Sequence, residues 1–257
     1  MTASERALPD TGGWLPLQLQ MIAFPTVPQV GISQEWWRDL TGEEPESVRK
    51  VVLREDRGAF QGGLLVLTID PVRVVWTALP TSPDLNFQPG TLPALRPFPE
   101  SSGWFLRLMQ RWLRDSCPEI NRLGFSARLA RVAPSGREEA YRLLDEYLPA
   151  VQVSPDTHDF QYRINRKRSS AVGIEGLRIN RLSAWSCVKF QVQIQTQLES
   201  GQTGPPLSVE GPFSCVVELD VNTEPEFGKP LPHDKLPELF AELVQLAAEI
   251  AEKGDVP

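Results

Sequence analysis

The sequence predicts an α+β fold in which antiparallel sheets carry helices packed on one face. Strand-like runs follow one another directly, without the intervening helices that a parallel sheet needs. Between groups of these runs lie segments with apolar residues at helical spacing and a polar opposite side. The predicted order is β-α-β-β-β-α over residues 1–116 and β-α-β-β-β-β-α over residues 117–257. We expect these two halves to pack as one globule.

The first half begins with residues whose polarity alternates. Leu15–Phe24 places apolar side chains on one side and Gln18 and Gln20 on the other, which predicts a half-buried strand. A short helix is expected next, with Ser33 as its N-cap and Gly42 as its end. Its apolar stripe consists of Trp36, Trp37 and Leu40.

Three strands and a helix complete the first half. The strands are predicted at Val48–Arg54, Phe60–Ile69 and Arg73–Leu79. The pair Gly62-Gly63 inside the second strand indicates a bulge or a bend, because no helix follows it. After a proline-rich connection, apolar residues spaced i, i+3, i+4 and i+7 predict a helix over Ser102–Arg114.

The second half opens with a strand at Arg122–Val132 and a helix that begins with an S-x-x-E capping box at Ser135 and Glu138. The last helix runs from Leu236 to Lys253, and its wide apolar stripe is expected to complete the core. Four further strands are predicted between these two helices, at Phe160–Arg166, Leu177–Ala184, Val188–Leu198 and Phe213–Val221.

The element order of each half resembles the repeated unit of TATA-binding-protein-like, or helix-grip, folds. This resemblance favours a pseudo-duplication.

The composition restricts the class of protein. Of the 257 residues, 41% are hydrophobic and 23% are charged, which is ordinary globular usage. The formal net charge of −7 disfavours general binding to nucleic acid. Three cysteines without CxxC spacing indicate a reducing compartment, and no apolar run reaches the length of about 18 residues that a membrane span needs. We therefore expect a cytoplasmic protein with neither a secretory signal nor a membrane partner.

The tripeptide Ile-Asn-Arg occurs three times, beginning at Ile120, Ile164 and Ile179. The last two copies lie in neighbouring predicted strands, within the densest basic cluster of the chain. On a strand, the Ile and Arg side chains point to one face and the Asn side chain to the other. Two interpretations stay open here: a site for an anion or a polar ligand, and cross-strand pairing on a solvated sheet face.

Amide and guanidinium side chains dominate the face of the second half that is predicted to lie away from the helices. Such groups form paired hydrogen bonds with peptides or with base edges, and they are equally suited to plain solvation. The candidate binding surface consists of Arg163, Asn165, Arg166, Arg178, Asn180, Arg181, Gln191 and Gln193.

Catalytic and metal-binding signatures are weak. His158 and His233 stand apart from any HExxH or CxxC pattern, so neither predicts a zinc site. The acidic group at residues 156–159 fits a capped loop better than an acid–base pair. Glu218 and Asp220 alternate on one strand and would suit a divalent metal, but no lysine stands at nuclease-like spacing behind them. No catalytic residue, cofactor or metal ligand is assigned, and the sequence favours a non-enzymatic protein.

Four segments resemble a sporadically distributed family of uncharacterised bacterial proteins. The resemblance implies a shared structure and brings no catalytic residue with it. The scattered distribution of that family implies genes that travel with mobile elements or bacterial defence cassettes. The segments are Leu67–Pro80, Arg122–Leu148, Asp159–Arg166 and Ile179–Ser186.

Three functions follow as hypotheses. The leading one is a non-enzymatic binding or accessory protein that acts through a protein partner, because the structural signals are complete and a catalytic set is lacking. The alternative is a nucleic-acid or nucleotide binder that uses the basic sheet region Ile164–Arg181. The third is an enzyme of a class whose residues form no recognised motif.

Overall fold

The computed structural model describes seven stretches of the chain, namely residues 13–29, 35–50, 53–83, 87–88, 90–154, 156–194 and 207–255. Within them the chain forms four α-helices, which are α1 (Trp36–Thr41), α2 (Phe98–Asp115), α3 (Arg137–Tyr147) and α4 (Leu236–Lys253). Five strands precede α2, and they are β1 (Leu15–Pro25), β2 (Ser47–Lys50), β3 (Arg54–Phe60), β4 (Gly63–Asp70) and β5 (Arg73–Pro80). Five more follow it, and they are β6 (Ile120–Val132), β7 (Gln161–Asn165), β8 (Arg168–Ser169), β9 (Arg178–Ile194) and β10 (Leu207–Thr223).

The described strands form one antiparallel sheet, which confirms the α+β class. The strand order is β2-β3-β4-β5-β1-β6-β10-β9-β7, and β8 also pairs with β9. The two strands that open the halves, β1 and β6, lie side by side at the centre, where Met21 is opposite Phe125. The halves therefore share a single continuous sheet.

The four described helices pack on one face of this sheet, as the sequence predicts. Aromatic side chains from each helix meet aromatic side chains that project from the strands, and such pairs combine large apolar burial with favourable ring geometry. The ring-centroid distances are 6.1 Å for Trp37 (α1) and Trp76, 6.3 Å for Trp112 (α2) and Trp76, 5.4 Å for Tyr147 (α3) and Trp185, and 6.0 Å for Phe240 (α4) and Phe125. We call the opposite side of the sheet the open face.

Trp14 joins the first half to the core of the second. Its indole Nε1 donates a hydrogen bond of 2.9 Å to the carbonyl oxygen of Ala251 in α4. Its ring lies 5.2 Å from that of Tyr147 and 6.1 Å from that of Trp185. Since Trp14 is fully buried, the residue that precedes β1 is part of the core beneath α3 and α4.

The end of α4 depends on a glycine. Gly254 has φ +75°, and its N–H donates to the carbonyl oxygen of Ile250. A Cβ atom at this position would lie 2.0 Å from the carbonyl oxygen of Tyr147. Both the left-handed backbone and the close approach of α3 therefore require glycine here, directly after Lys253, where the helix was predicted to end. Within the described residues, no helix combines the length and apolar character that crossing a membrane requires.

The predicted strand Phe60–Ile69 begins too early: Gly63–Asp70 forms β4, and Phe60 is the last residue of β3 (Arg54–Phe60), a strand that was not predicted. Gln61 and Gly62 have φ of +53° and +76°, and Phe60 pairs directly with Gly63 across them. Positive φ at both central residues is the signature of a two-residue type I′ turn, so the expected bulge is a turn. The first half consequently has four strands after α1 and not three. The expected Ser33 cap lies outside the described residues.

The predicted strands Leu177–Ala184 and Val188–Leu198 also need correction. They form one strand of 17 residues, β9, which β10 pairs along its length, with Cys187 opposite Cys215. Residues 195–198 lie outside the described residues. In a continuous strand, odd and even positions keep to opposite faces. The sequence pattern placed Gln191 and Gln193 on the same face as Asn180. In the continuous strand they lie on the opposite face, and Phe190 and Val192 lie on the face of Asn180.

The helix α3 starts without the expected capping box. Its N-cap is Gly136, and no side-chain hydrogen bond closes the cap. Instead, the carboxylate of Glu139 accepts a hydrogen bond of 2.7 Å from the backbone N–H of Ser135. The prediction that Glu138 fills this role is therefore wrong by one position along the helix.

Candidate functional site

Three asparagine side chains form a chain of hydrogen bonds across the open face of the second half. Asn165 Nδ2 on β7 donates to Asn180 Oδ1 on β9 at 3.0 Å. Asn180 Nδ2 donates to Asn222 Oδ1 on β10 at 3.1 Å, and these two residues are directly paired in the sheet. We call Asn165, Asn180 and Asn222 the amide ladder.

The ladder has a fixed direction and fixed ends. At one end, Asn165 Oδ1 accepts the backbone N–H of Arg181 at 3.0 Å. At the other, Asn222 Nδ2 donates to the Asp220 carboxylate at 2.7 Å. The Arg122 guanidinium stands 3.5 Å from Asn222 Oδ1 and lies over the Phe24 ring at 4.6 Å. Because an amide group has two N–H donors and two acceptor lone pairs, each ladder residue keeps hydrogen-bonding capacity for a ligand.

Charged side chains of both signs surround the ladder. Arg163 and Arg178 are exposed, and neither side chain forms a hydrogen bond or an ion pair with another described residue. Glu218 and Asp220 are also exposed, and Glu218 lies 3.4 Å from Arg128 across the sheet. The open face of the second half is therefore a mixed-charge surface with two free guanidinium groups at its β7–β9 side.

Arg166 belongs to the helix side of the sheet and is held in an ion pair. Its Nε and Nη2 atoms donate to the two carboxylate oxygens of Asp255 at 2.6 and 3.0 Å. The hydroxyl of Tyr162 donates to the same carboxylate at 2.7 Å. Burial acts to raise the pKa of Asp255, but these hydrogen bonds outweigh it and lower that pKa. Arg166 thus fastens the residue that follows α4 to the edge of the sheet.

Arg181 also points to the helix side, where it is buried. Only 9% of it is exposed, and its burial lowers the pKa of its guanidinium. It lies beside Arg166 and Asp255 around a void of about 10 Å³, which is the size of a single water molecule. Arg181 therefore lies beneath the end of α4, away from the candidate residues of the open face.

Gln191 and Gln193 occupy a third place. Both are exposed on the part of β9 that extends beyond β7, and by strand parity they share the side of Ile179, opposite to Asn180. The candidate surface therefore divides into three regions. Arg163, Asn165, Arg178 and Asn180 meet on the open face, Arg166 and Arg181 lie under α4, and Gln191 and Gln193 lie on the β9 extension.

The sequence analysis did not predict Asn222 as a site residue. It also did not predict that Asp220 accepts a hydrogen bond from Asn222. The predicted strand ended at Val221, one residue before Asn222, although Glu218, Asp220 and Asn222 continue the same polar alternation. The first Ile-Asn-Arg copy contributes Arg122, but a register shift at the end of β1 places it on the open face. That shift separates it from Ile120, which is buried in the core.

The three cysteines and Asp156 lie in surroundings that do not activate them for catalysis. Burial raises the pKa of all three cysteine thiols, that of Cys187 to about 12, so they are poor nucleophiles near neutral pH. Asp156 accepts a hydrogen bond from the hydroxyl of Ser154, as in a capped loop. Across the described stretches, no group of three or more His, Cys, Asp or Glu side chains is arranged to hold a metal ion.

Comparisons with protein-family models, with curated proteins and with solved structures each returned no match for this chain. The expected resemblance to a sporadic bacterial family therefore stays a prediction. The arrangement of the open face is the basis for assigning a function.

Proposed function

We propose that this chain is a non-enzymatic binding protein that holds an extended segment of a protein partner on the open face of its second half. The observation that carries the proposal is the amide ladder, in which side-chain amides from three adjacent strands form a continuous hydrogen-bonded row on the open face. A peptide backbone presents the same N–H and C=O groups that these amides bind.

The charges around the ladder favour a peptide over a nucleic acid. A phosphate backbone on this face would meet the exposed carboxylates of Glu218 and Asp220 next to the ladder, in a chain of net charge −7. A peptide with an acidic side chain can pair with Arg163 or Arg178 and place neutral groups over the carboxylates. Such bidentate guanidinium–carboxylate contacts add geometric specificity.

A nucleic-acid ligand is the second candidate, and one observation favours it. Arg163 and Arg178 are exposed cations without an ion-pair partner among the described residues, which is the arrangement that phosphate contacts use. Arg166 and Arg181, which the sequence pattern favoured for this role, are held under α4. If nucleic acid is the ligand, Arg163 and Arg178 are the residues that contact it.

We also infer that residues 1–116 and 117–257 derive from one duplicated unit of TATA-binding-protein-like, or helix-grip, element order. In support, each segment reads β-α-β-β-β-β-α. The sheet order is symmetrical about the β1–β6 pair: β5 and β10 flank it, and β4 and β9 follow. The symmetry ends at β7 and β8, which both pair with β9. We further place the protein in the cytoplasm, in keeping with its three free cysteines.

The experiment that tests the function compares three baits in affinity purification with quantitative mass spectrometry. The first is the natural chain, and the second carries Arg163→Glu and Arg178→Glu on the open face. The third is a matched control with the same charge change on the helix side, Arg107→Glu and Arg142→Glu, whose side chains are exposed on α2 and α3. Circular dichroism checks that all three melt alike.

We expect a protein partner that the natural chain and the control capture after nuclease treatment, and that the open-face variant loses by tenfold or more. A synthetic peptide from that partner should then bind the natural chain directly. Capture that disappears with nuclease, together with a steep dependence of binding on salt, would replace the proposal with the nucleic-acid function. Equal capture of the partner by all three baits would show that the open face does not bind it.

A further inference from the structure

A second candidate site lies away from the amide ladder, where the β9–β10 hairpin extends past the sheet. β9 pairs with β7 only as far as Ser186, and β10 pairs with β6 only from Ser214. We call the remaining residues, 187–194 and 207–213, the hairpin arm. Val192 and Ile194 on this arm are 5% and 3% exposed. Since a free two-stranded ribbon would leave such side chains in water, the arm is packed against another part of the molecule.

On one side, the arm borders the open face of the first half across a cavity. Phe190 and Val192 of the arm line a cavity of about 340 Å³ together with Leu64 of β4 and Leu79 of β5, which are directly paired in the sheet. Prolines of the connection between β5 and α2, including Pro93, form a further wall. The cavity has the size and the mostly apolar lining that are typical of sites for small molecules.

Arg57 is the charged side chain in this lining. It lies on β3 opposite Val66, with which it shares the open face. No hydrogen bond or ion pair joins its guanidinium to another described residue. A half-buried cation beside an apolar cavity is stabilised when an anionic group supplies the missing partner, and a carboxylate matches the guanidinium in two parallel hydrogen bonds.

We propose that this cavity binds a small organic acid with an apolar body, whose carboxylate pairs with Arg57. The volume sets the size of the ligand. At about 340 Å³, the cavity lies at the small end of the range of about 300–1,000 Å³ that is typical of small-molecule sites. We therefore take ligands from the small end of that range, such as an eight-carbon fatty acid or a single-ring aromatic acid.

The test uses octanoate as the probe, with octanol and octylammonium as neutral and cationic analogues of the same chain length. Binding to the full chain is measured by isothermal titration calorimetry. Octanoate should bind saturably with one site, octanol at least tenfold more weakly, and octylammonium more weakly still. The heat of binding should carry a negative heat-capacity change, since apolar surface is buried.

Two variants and one control locate the ligand. Arg57→Met should weaken octanoate binding at least tenfold and leave octanol binding unchanged. Leu79→Trp should fill the cavity and weaken the binding of both octanoate and octanol. If Leu79→Trp lowers the melting temperature, Leu64→Phe takes its place. Arg49→Met removes the same charge from an exposed position on β2, outside the cavity, and should bind octanoate like the natural chain.

Several results would overturn the proposal: no saturable binding of octanoate, equal affinity for octylammonium, or unchanged octanoate affinity in a folded Arg57→Met chain. The open-face variant Arg163→Glu with Arg178→Glu should bind octanoate normally, because its changes lie in the other half of the sheet. The cavity and the amide ladder are thus tested separately.

Discussion

The two halves of the sheet arrange their strands alike and present different open faces. In the second half, Arg163, Asn165 and Asp220 are exposed around the amide ladder. In the first half, Val66, Val75 and Thr77 lie on the corresponding side and are each less than 10% exposed. The first face carries an apolar cavity, whereas the second is polar and accessible.

The corresponding hairpins of the two halves also differ in length. β4 and β5 have 8 residues each and are joined by a two-residue turn, whereas β9 and β10 have 17 residues each. The longer hairpin projects past the sheet, and its residues meet those of the first half around one cavity. Two sheet halves with similar strand order therefore have different surfaces, and element order alone does not determine function.

The largest effect is expected from removing α4, which tests whether the halves are separate. Phe240 lies 6.5 Å from Phe105 of α2 and 6.0 Å from Phe125 of β6, so α4 packs on both halves. Each large apolar side chain buried there contributes about 1.5–3 kcal/mol, against a total stability of about 5–15 kcal/mol. A chain ending at Lys235 should show no cooperative thermal unfolding. An unchanged melting temperature would show that α4 is a detachable arm. If hydrogen exchange of the truncated chain found protected amides only in β1–β5, the first half would fold independently of the second.

The helix α4 and the strand β6 could be predicted from the sequence because each has one buried side. Leu123, Phe125, Ala127 and Leu129 alternate with more polar residues, and the period of two is visible without knowledge of the partner strands. β9 was divided wrongly at its centre, where both sides are partly covered. There Ser186, Cys187 and Val188 are all half-buried, so alternation gives no signal, and the continuity of the strand is set by pairing with β10.

The amide ladder could be predicted only in part, for a similar reason. The repeated tripeptide identifies Asn165 and Asn180 as polar residues on neighbouring strands. Their contact with Asn222 depends on the register between β9 and β10, which is set by long-range packing and not by local sequence. The separation of Arg166 and Arg181 from them follows from strand parity, which the sequence already indicates.

A smaller effect is expected from the ion pair between Arg166 and Asp255, which fastens α4 to the second half. In the first half, the buried carboxylate of Asp56 pairs within its own strand, with Arg54 at 2.7 Å. Asp255→Asn should lower the free energy of unfolding by about 1.5–3 kcal/mol at pH 7, the usual contribution of hydrogen bonds to a charged group. Glu252→Gln, an exposed carboxylate on α4, should change it by less than about 0.5 kcal/mol.

The contribution of Asp255 to the free energy of unfolding should depend on pH. Because the folded protein lowers the pKa of Asp255, its contribution is present above the unfolded value of about 3.9 and is lost as pH falls through the folded pKa. The difference in unfolding free energy between the natural chain and Asp255→Asn should therefore shrink below about pH 4. Urea unfolding at pH 3, 5 and 7 measures it, and a difference that stays constant would show that Asp255 acts by packing and not by its charge.

The smallest effect concerns two glycines of the first half, for which the same substitution should have opposite signs. Gly62 occupies the β3–β4 turn with φ +76°, and a Cβ atom added there would meet no other part of the protein within 4 Å, so only backbone strain opposes it. Gly62→Ala should lower the free energy of unfolding by about 1 kcal/mol, which is the cost of the left-handed region for residues other than glycine.

Gly103 lies inside α2, where the nearest atom to an added Cβ would be Arg107 Nη1 at 3.6 Å, an ordinary contact. Gly103→Ala should therefore stabilise by about 0.5–1 kcal/mol, because alanine loses less backbone entropy in a helix. Denaturant unfolding of both variants distinguishes the turn from a bulge, since a Gly62→Ala chain as stable as the natural one would mean that β3 and β4 are not joined by a type I′ turn.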